Sequence, residues 1–328
     1  MERTHRNSIR FGLLTAAVLA ATALPVHGAE QFPTRPIRMI VPFPPGGSTD
    51  FNARAIQDRM SDALGQQVVI DNRGGASGQL GTRIVKESTP DGYTLVLHTI
   101  AFITSTLLYE NAGYDPLKDF IPITMISQVP TTVSVHPSVP VHSVKELLAL
   151  ARSKPDQLIY AGSGIGTNSH ITGELFNLMA KTSIRAIQYK GGGPALAAVV
   201  SGEVQVGFSN ISQTARMAEA GRVRMLAISS AKRSPAAPNL PTVAESGLPG
   251  FEMAAWHLIA TPRGTPAAIV RTLNEKIRAA LKDPVVLQRY EKAGMESFNG
   301  TPQEAIAYLK TEQEKWRRVI RERNIKGD

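Results

Sequence analysis

The chain contains no cysteine, which excludes disulfide staples and thiolate metal sites. With 328 residues and 42% hydrophobic content, its core is large enough to need neither. Long apolar runs are scarce. Only Phe11 to Leu24 stands out; it is shorter than the ~20 residues that span a bilayer. Acidic residues are the minority, 27 against 36 basic, for a formal charge of +9. A basic balance can signal nucleic acid. Here the densest cluster, Lys315 to Arg323, follows Glu312 and Glu314 and includes Glu322. It reads as the solvated face of one helix, so no nucleic-acid partner is expected. The excess instead attracts small anions. Common site signatures are missing too. Gly162-Ser163-Gly164 lies between Ala161 and Ile165, so it is not the Gly-x-Ser-x-Gly elbow of hydrolases. Gly162-x-Gly164-x-Gly166 lacks the dinucleotide spacing. His170 and Glu174 have metal-ligand spacing but no third ligand nearby, so no metal is expected. No cofactor is expected either.

The N-terminus carries Arg3, Arg6 and Arg10, then the apolar run, then Gly28 and Ala29. This is the layout of a secretory signal peptide, expected over residues 1–29 with cleavage near Ala29. No cysteine is there to carry a lipid. Removal would delete three Arg and one Glu, leaving 33 basic and 26 acidic residues, or +7. An exported protein of this size without cysteine fits a bacterial periplasm.

Strand-like and helix-like runs then alternate, which predicts parallel α/β sheets covered by helices. Strands are expected at 37–41, 68–71, 93–98, 121–135, 158–161, 186–189, 204–208, 224–229 and 251–260. Ser143-x-x-Glu146 and Thr301-Pro302-x-Glu304 are capping boxes. The 121–135 run is long and interrupted by Pro130, and 251–260 is the last strand before two helices. Crossings between two lobes are therefore placed near Gln128–Thr131 and Met253–His257. This gives one lobe of 30–129 plus 255–328 and a second of 130–254.

Two glycine- and hydroxyl-rich turns each follow a strand and open a helix. The first runs from Val41 through Phe43, Pro45, Gly46, Gly47, Ser48 and Thr49 to Asp50. The second holds Ser163, Gly164, Gly166, Thr167, Asn168, Ser169 and His170. Such turns aim backbone N–H groups and a positive helix end at one point and attract an anion. Asp50 would repel an acid and is assigned to the helix start. Hydroxyls and amides donate without the cost of a buried cation. Trp256 lies at the predicted crossing and is a further candidate, as is Asn210.

At this point the chain resembles the Bug receptors, the substrate-binding components of tripartite tricarboxylate transporters. The resemblance rests on Pro42 to Asp50 with Ala53-Arg54, Asn72 to Gly78, Pro90 to Leu95, and Tyr160 to His170. It continues in Tyr189-Lys190-Gly191 with Pro194-Ala195, Pro241 to Glu245, Trp256, and Ala260 to Pro262 with Gly264 to Pro266. It implies a two-lobed periplasmic binding fold, type II-like, with two crossover strands and a central cleft. It also implies a bound di- or tricarboxylate or aromatic acid, held at the loops opening at Pro42 and Gly162. The implied partners are one large and one small integral membrane subunit, with the receptor a monomer and not an enzyme. The family's acidic residue after Pro194-Ala195 is replaced here by Leu196 to Val200, and the strand-end acid by Ser209-Asn210. Both departures argue against an amino-acid ligand, whose ammonium would want a carboxylate partner. Two alternatives stay open. One is an exported small-ester hydrolase using Ser48 or Ser163, with His170 or His98 as base. The other is a protein that presents ligand to a sensor.

Overall fold

The computed structural model describes residues 32–155 and 157–327; the signal-peptide expectation lies outside them. The elements run β1 (Ile37–Val41), α1 (Ser48–Leu64), β2 (Val68–Asn72), α2 (Gln79–Lys86), β3 (Thr94–His98), α3 (Ala101–Leu108) and β4 (Phe120–Val135). Next come α4 (Val144–Ser153), β5 (Ile159–Gly162), α5 (Asn168–Ala180), β6 (Arg185–Gln188), α6 (Gly192–Ser201), β7 (Val206–Asn210), α7 (Ile211–Glu219) and β8 (Arg224–Ile228). The chain closes with β9 (Ala254–Pro262), α8 (Ala267–Leu281), α9 (Pro284–Lys292), β10 (Glu296–Ser297) and α10 (Pro302–Glu322). Each expected strand is present, shifted by at most three residues at an end. The two-residue β10 has no apolar run to announce it.

The strands lie in the order β2-β1-β3-β9-β4-β7-β5-β6, with β8 and β10 also on β4. The expected parallel pairing holds for β1, β2 and β3 and for β5, β6 and β7, and not for β4 and β9. β1 is parallel to β2 and β3, and β5 to β6 and β7. β4 and β9 run antiparallel to their neighbours. The cause is topological: one strand leaves the first lobe, the other returns to it, and they pair side by side in opposite directions.

Pro130 does not interrupt β4. The strand pairs with β9 up to Pro130↔Ala254 and with β7 from Thr131↔Asn210. A proline lacks a ladder donor, and here it sits where β4 exchanges one partner for another. Ser229 staples this exchange. Its hydroxyl accepts from Thr131 N at 2.9 Å and donates to the Met253 carbonyl. Its backbone N–H donates to Thr131 O at 2.7 Å, and its carbonyl accepts from Met253 N at 2.8 Å. Both segments between the lobes are thus tied to one fully buried serine. Ser229→Ala should leave a buried amide and a buried carbonyl short of a partner. The expected cost is about 1–3 kcal/mol of stability, read by urea denaturation; an unchanged midpoint would contradict the staple.

One apolar cluster runs through both lobes, from Ile40 and Val96 through Val133, Phe176 and Phe208 to Trp256, Leu309 and Trp316. The capping box at Thr301 forms in full. At Ser143 only half forms: Ser143 Oγ accepts from Glu146 N, but Glu146 reaches back to His142 N.

Candidate ligand-binding site

A cavity of about 90 Å³ opens between the two glycine-rich turns. It has room for several waters. Of the residues singled out by sequence, Phe43, Pro45, Gly47, Ser48, Thr49, Ser163, Thr167, Asn168, Ser169 and Asn210 line it. The remaining candidates, Gly46, Gly164, Gly166, His170 and Trp256, are not in its wall.

The reasons are local. Gly46 has a φ of +82°, a turn conformation that glycine adopts without strain. Its N–H is spent on Asp50 Oδ2 at 3.0 Å. Asp50 also accepts from Arg54 Nε and Asn72 Nδ2, and Asn72 holds the Phe43 carbonyl. Burial works to raise the Asp50 carboxyl, but the hydrogen bonds from Arg54, Gly46 and Asn72 and the Arg54 charge outweigh it and hold it below the usual range. Asp50 therefore braces the first turn, and Arg54 is engaged by Asp50. Gly47 is the N-cap of α1 with ordinary angles, and α1 has no side-chain cap. Ser48 and Thr49 are its first residues, so their N–H groups lack intrahelical partners.

In the second turn the side chains consume part of the expected donor set. Ser163 N donates to Ser169 Oγ at 2.7 Å, Gly164 N to Gln188 Oε1 at 3.1 Å and Gly166 N to His170 Nδ1 at 3.0 Å. Thr167 gives its hydroxyl proton to the Gly164 carbonyl at 2.6 Å, so it shapes the turn before it serves a ligand. His170 is buried behind the turn, and burial lowers its pKa against the pull of Glu174. Glu174 is taken by Tyr160 Oη and Arg323. Among the described residues no cluster of metal-ligating side chains forms.

Trp256 is missed by one strand position. Side chains alternate across a strand. Ala255 and His257 face the cavity, while Trp256 is buried with its Nε1 donating to Glu312 Oε2 at 2.8 Å.

Sequence reasoning also missed a third turn. Gly191, Gly192, Gly193, Pro194 and Ala195 open α6 and line the cavity, as do Pro44, Thr99, Phe208, Ser209 and Gln213. The signal was present in the run Gly191-Gly192-Gly193-Pro194, a third loop entering a helix. Gly191 has a φ of +111°, and a Cβ there would lie 3.5 Å from Pro44 Cγ. The two lips of the cleft meet at this point. α1, α5 and α6 all turn their N-termini to the cavity, and none has a side-chain cap.

The lining holds no Lys, Arg, Asp or Glu. Its one ionisable group is His257, whose pKa burial pushes down from 6.5 to about 3. The wall is therefore uncharged at neutral pH, with positive potential supplied only by helix ends. His98, behind Phe43, is likewise pushed to about 3 by burial, with His257 adding to the effect. Both rings are neutral when folded and titrate near 6.5 when unfolded. The unfolded chain then binds more protons between pH 3 and 6.5. Stability from these rings is complete above about pH 6.5 and falls as pH drops toward 3, by up to about 1.4 kcal/mol per unit for each ring. Urea midpoints should thus fall between pH 7.5 and 5; a flat profile would contradict the buried neutral state.

The family profile described as "Tripartite tricarboxylate transporter family receptor" matches residues 52–325. The chain belongs to this family, the Bug receptors. BugT of Bordetella pertussis is 36% identical over 309 residues, 94% of either chain. Among solved structures, R. palustris Rpa4515 with adipate superposes with a TM-score of 0.87 at 39% identity, covering 90% of this chain and 99% of that one. MatC of Rhodopseudomonas palustris, with bound malate, gives 0.83 at 32% identity, covering 88% and 100%. The periplasmic binding protein BugD gives 0.85 at 34% identity, covering 90% and 100%. Bug receptors are substrate-binding proteins of the periplasm, and the two-lobed fold described above is theirs.

Proposed function

We propose that this Bug receptor captures a small carboxylate in the periplasm and delivers it to the membrane subunits of a tripartite transporter. The single observation that carries the reading is an uncharged cavity ringed by three uncapped helix N-termini. Backbone N–H groups at such ends meet a carboxylate without a desolvated cation opposite it. That relatives were solved with adipate and malate supports the ligand class. The site residues are those of the three turns together with Asn210, Gln213 and His257. The lobes are divided at 129/130 and 254/255; the change of partner along β4 between Pro130 and Thr131 and the start of β9 at Ala254 support this reading. Residues 1–29 act as the export signal. Ligand shifts an open–closed equilibrium through its greater affinity for the closed form.

One observation favours a second reading. Neither His98 nor His170 lines the cavity, but His257 Nε2 lies 3.2 Å from Ser48 Oγ. This is nucleophile-and-base geometry. The far nitrogen of His257 faces Ser127 and Asn52 rather than a carboxylate, and a ring with a pKa of about 3 is a weak base. The test is calorimetric titration with C4 to C6 diacids, alongside incubation with their methyl esters. Stoichiometric binding without turnover supports the receptor. Ester cleavage that Ser48→Ala abolishes would establish the hydrolase.

A further inference from the structure

The polar network behind Ser48 settles which way its hydroxyl points. Ser127 gives its one proton to Asn52 Oδ1 at 2.6 Å, so toward His257 Nδ1, 3.1 Å away, it can only accept. Asn52 has two amide hydrogens. They have partners in the Ser48 carbonyl at 3.0 Å and Met295 Sδ at 3.6 Å, so the 3.3 Å approach of Asn52 Nδ2 to Nδ1 is not needed as a hydrogen bond. Nδ1 therefore carries the proton of the neutral ring. Nε2 is left bare, and it takes the Ser48 hydroxyl proton at 3.2 Å. Ser48 Oγ then offers the cavity lone pairs and no proton.

That is the wrong polarity for a carboxylate oxygen and the right one for a hydroxyl. The N–H groups of Ser48 and Thr49 beside it remain donors. The opposite lobe presents a further acceptor, which the single proton donated to Ser48 Oγ cannot also serve. Asn168 lines the cavity, and its buried Oδ1 has no hydrogen-bond partner among the described residues. A buried acceptor of this kind is costly until a donor arrives. The cavity thus calls for a ligand that brings a proton donor next to its carboxylate. An ammonium would meet no anionic side chain in the lining. A hydroxyl needs none.

We propose that His257 sets the specificity of the site by holding Ser48 as a hydrogen-bond acceptor, so that the preferred ligand is a 2-hydroxy acid, its hydroxyl on Ser48 Oγ and its carboxylate on the N-terminus of α1. This rests on the carboxylate reading above. Asn52 and Ser127 are positioning residues that act through the ring.

The experiment compares acids that differ by one group: succinate, malate and aspartate, and glutarate with 2-hydroxyglutarate. Calorimetric titration of the wild-type protein should find the hydroxy acid at least about tenfold tighter than the plain diacid of the same length, the scale of one lost hydrogen bond. Aspartate should be weaker than malate. In His257→Phe the Ser48 hydroxyl is free to donate, and the hydroxy-to-plain ratio should fall to about one. Ser48→Ala should lose the ratio too, which keeps the test in force if His257→Phe does not fold. Nitrogen-15 shifts of the wild-type ring should report the Nδ1–H form. Equal affinity for plain and hydroxy acids, an unchanged ratio in Ser48→Ala, or an Nε2–H ring would overturn the proposal and leave the carboxylate reading standing. Tighter aspartate would do the same. If no acid in the panel binds, the carboxylate reading itself falls and this inference with it.

Discussion

Gly47→Val is expected to lower carboxylate affinity at least about a hundredfold and to leave the protein folded. Gly47 has φ −80° and ψ 173°, an extended conformation that valine adopts without strain. A Cβ there would meet only the Pro44 carbonyl oxygen, at 3.7 Å. The branched methyls must then project into a cavity of about 90 Å³. There they keep a ligand from the N–H groups of Ser48 and Thr49. Hydrogen bonds to a charged group contribute about 1.5–3 kcal/mol each, so losing two exceeds a hundredfold. Valine is a poorer N-cap than glycine by about 1 kcal/mol, a few degrees of melting temperature at most for a chain this long. Gly46→Val is the contrast. With φ +82° it strains the turn itself, so it should lose stability as well as affinity. Titration beside a melting curve separates the two. Unchanged affinity in Gly47→Val would remove the first turn from the site.

The second large effect is on stability and lies where α10 packs against β9. Glu312 is buried in α10, and its Oε2 accepts from both Trp256 Nε1 at 2.8 Å and Trp316 Nε1 at 2.9 Å. One carboxylate oxygen thus joins the strand that returns from the second lobe to the C-terminal helix. Glu312→Ala would leave both indole N–H groups buried without a partner. At about 1–3 kcal/mol for each orphaned donor, the expected loss is about 2–6 kcal/mol. Glu312→Gln keeps one acceptor oxygen and should recover part of this. Urea denaturation decides between them. If Ala and Gln are equivalent, the indole bonds do not hold α10 in place.

Most of the frame was legible in the sequence because it follows from pattern. Apolar runs marked nine strands, and Thr301-Pro302-x-Glu304 marked the start of α10. The two turns were legible because glycine and hydroxyl residues cluster between a strand and a helix. What escaped were facts of pairing and parity. The direction of β4 and β9 depends on partners far along the chain. Pro130 looked like an interruption, yet it stands where a strand changes partners and a missing N–H matters little. Trp256 drew attention by size, while the alternation of its strand turns Ala255 and His257 to the cavity instead. His257 gave no local signal, because its meaning comes from Ser48, Asn52 and Ser127, residues between 130 and 209 positions away. The basic run near Lys315 read as a solvated face, and Arg317, Arg318 and Arg321 are exposed, while Glu312, Trp316, Val319 and Ile320 form the buried stripe of the same helix.

The most direct test of the central claim, that uncharged donors of facing turns hold a carboxylate, is a crystal structure of the protein with a bound diacid. The account predicts carboxylate oxygens within hydrogen-bond distance of backbone N–H groups at the starts of α1 and of α5 or α6, with no lysine or arginine touching them. A direct Arg or Lys pair to the carboxylate, or a diacid bound outside this cavity, would contradict it.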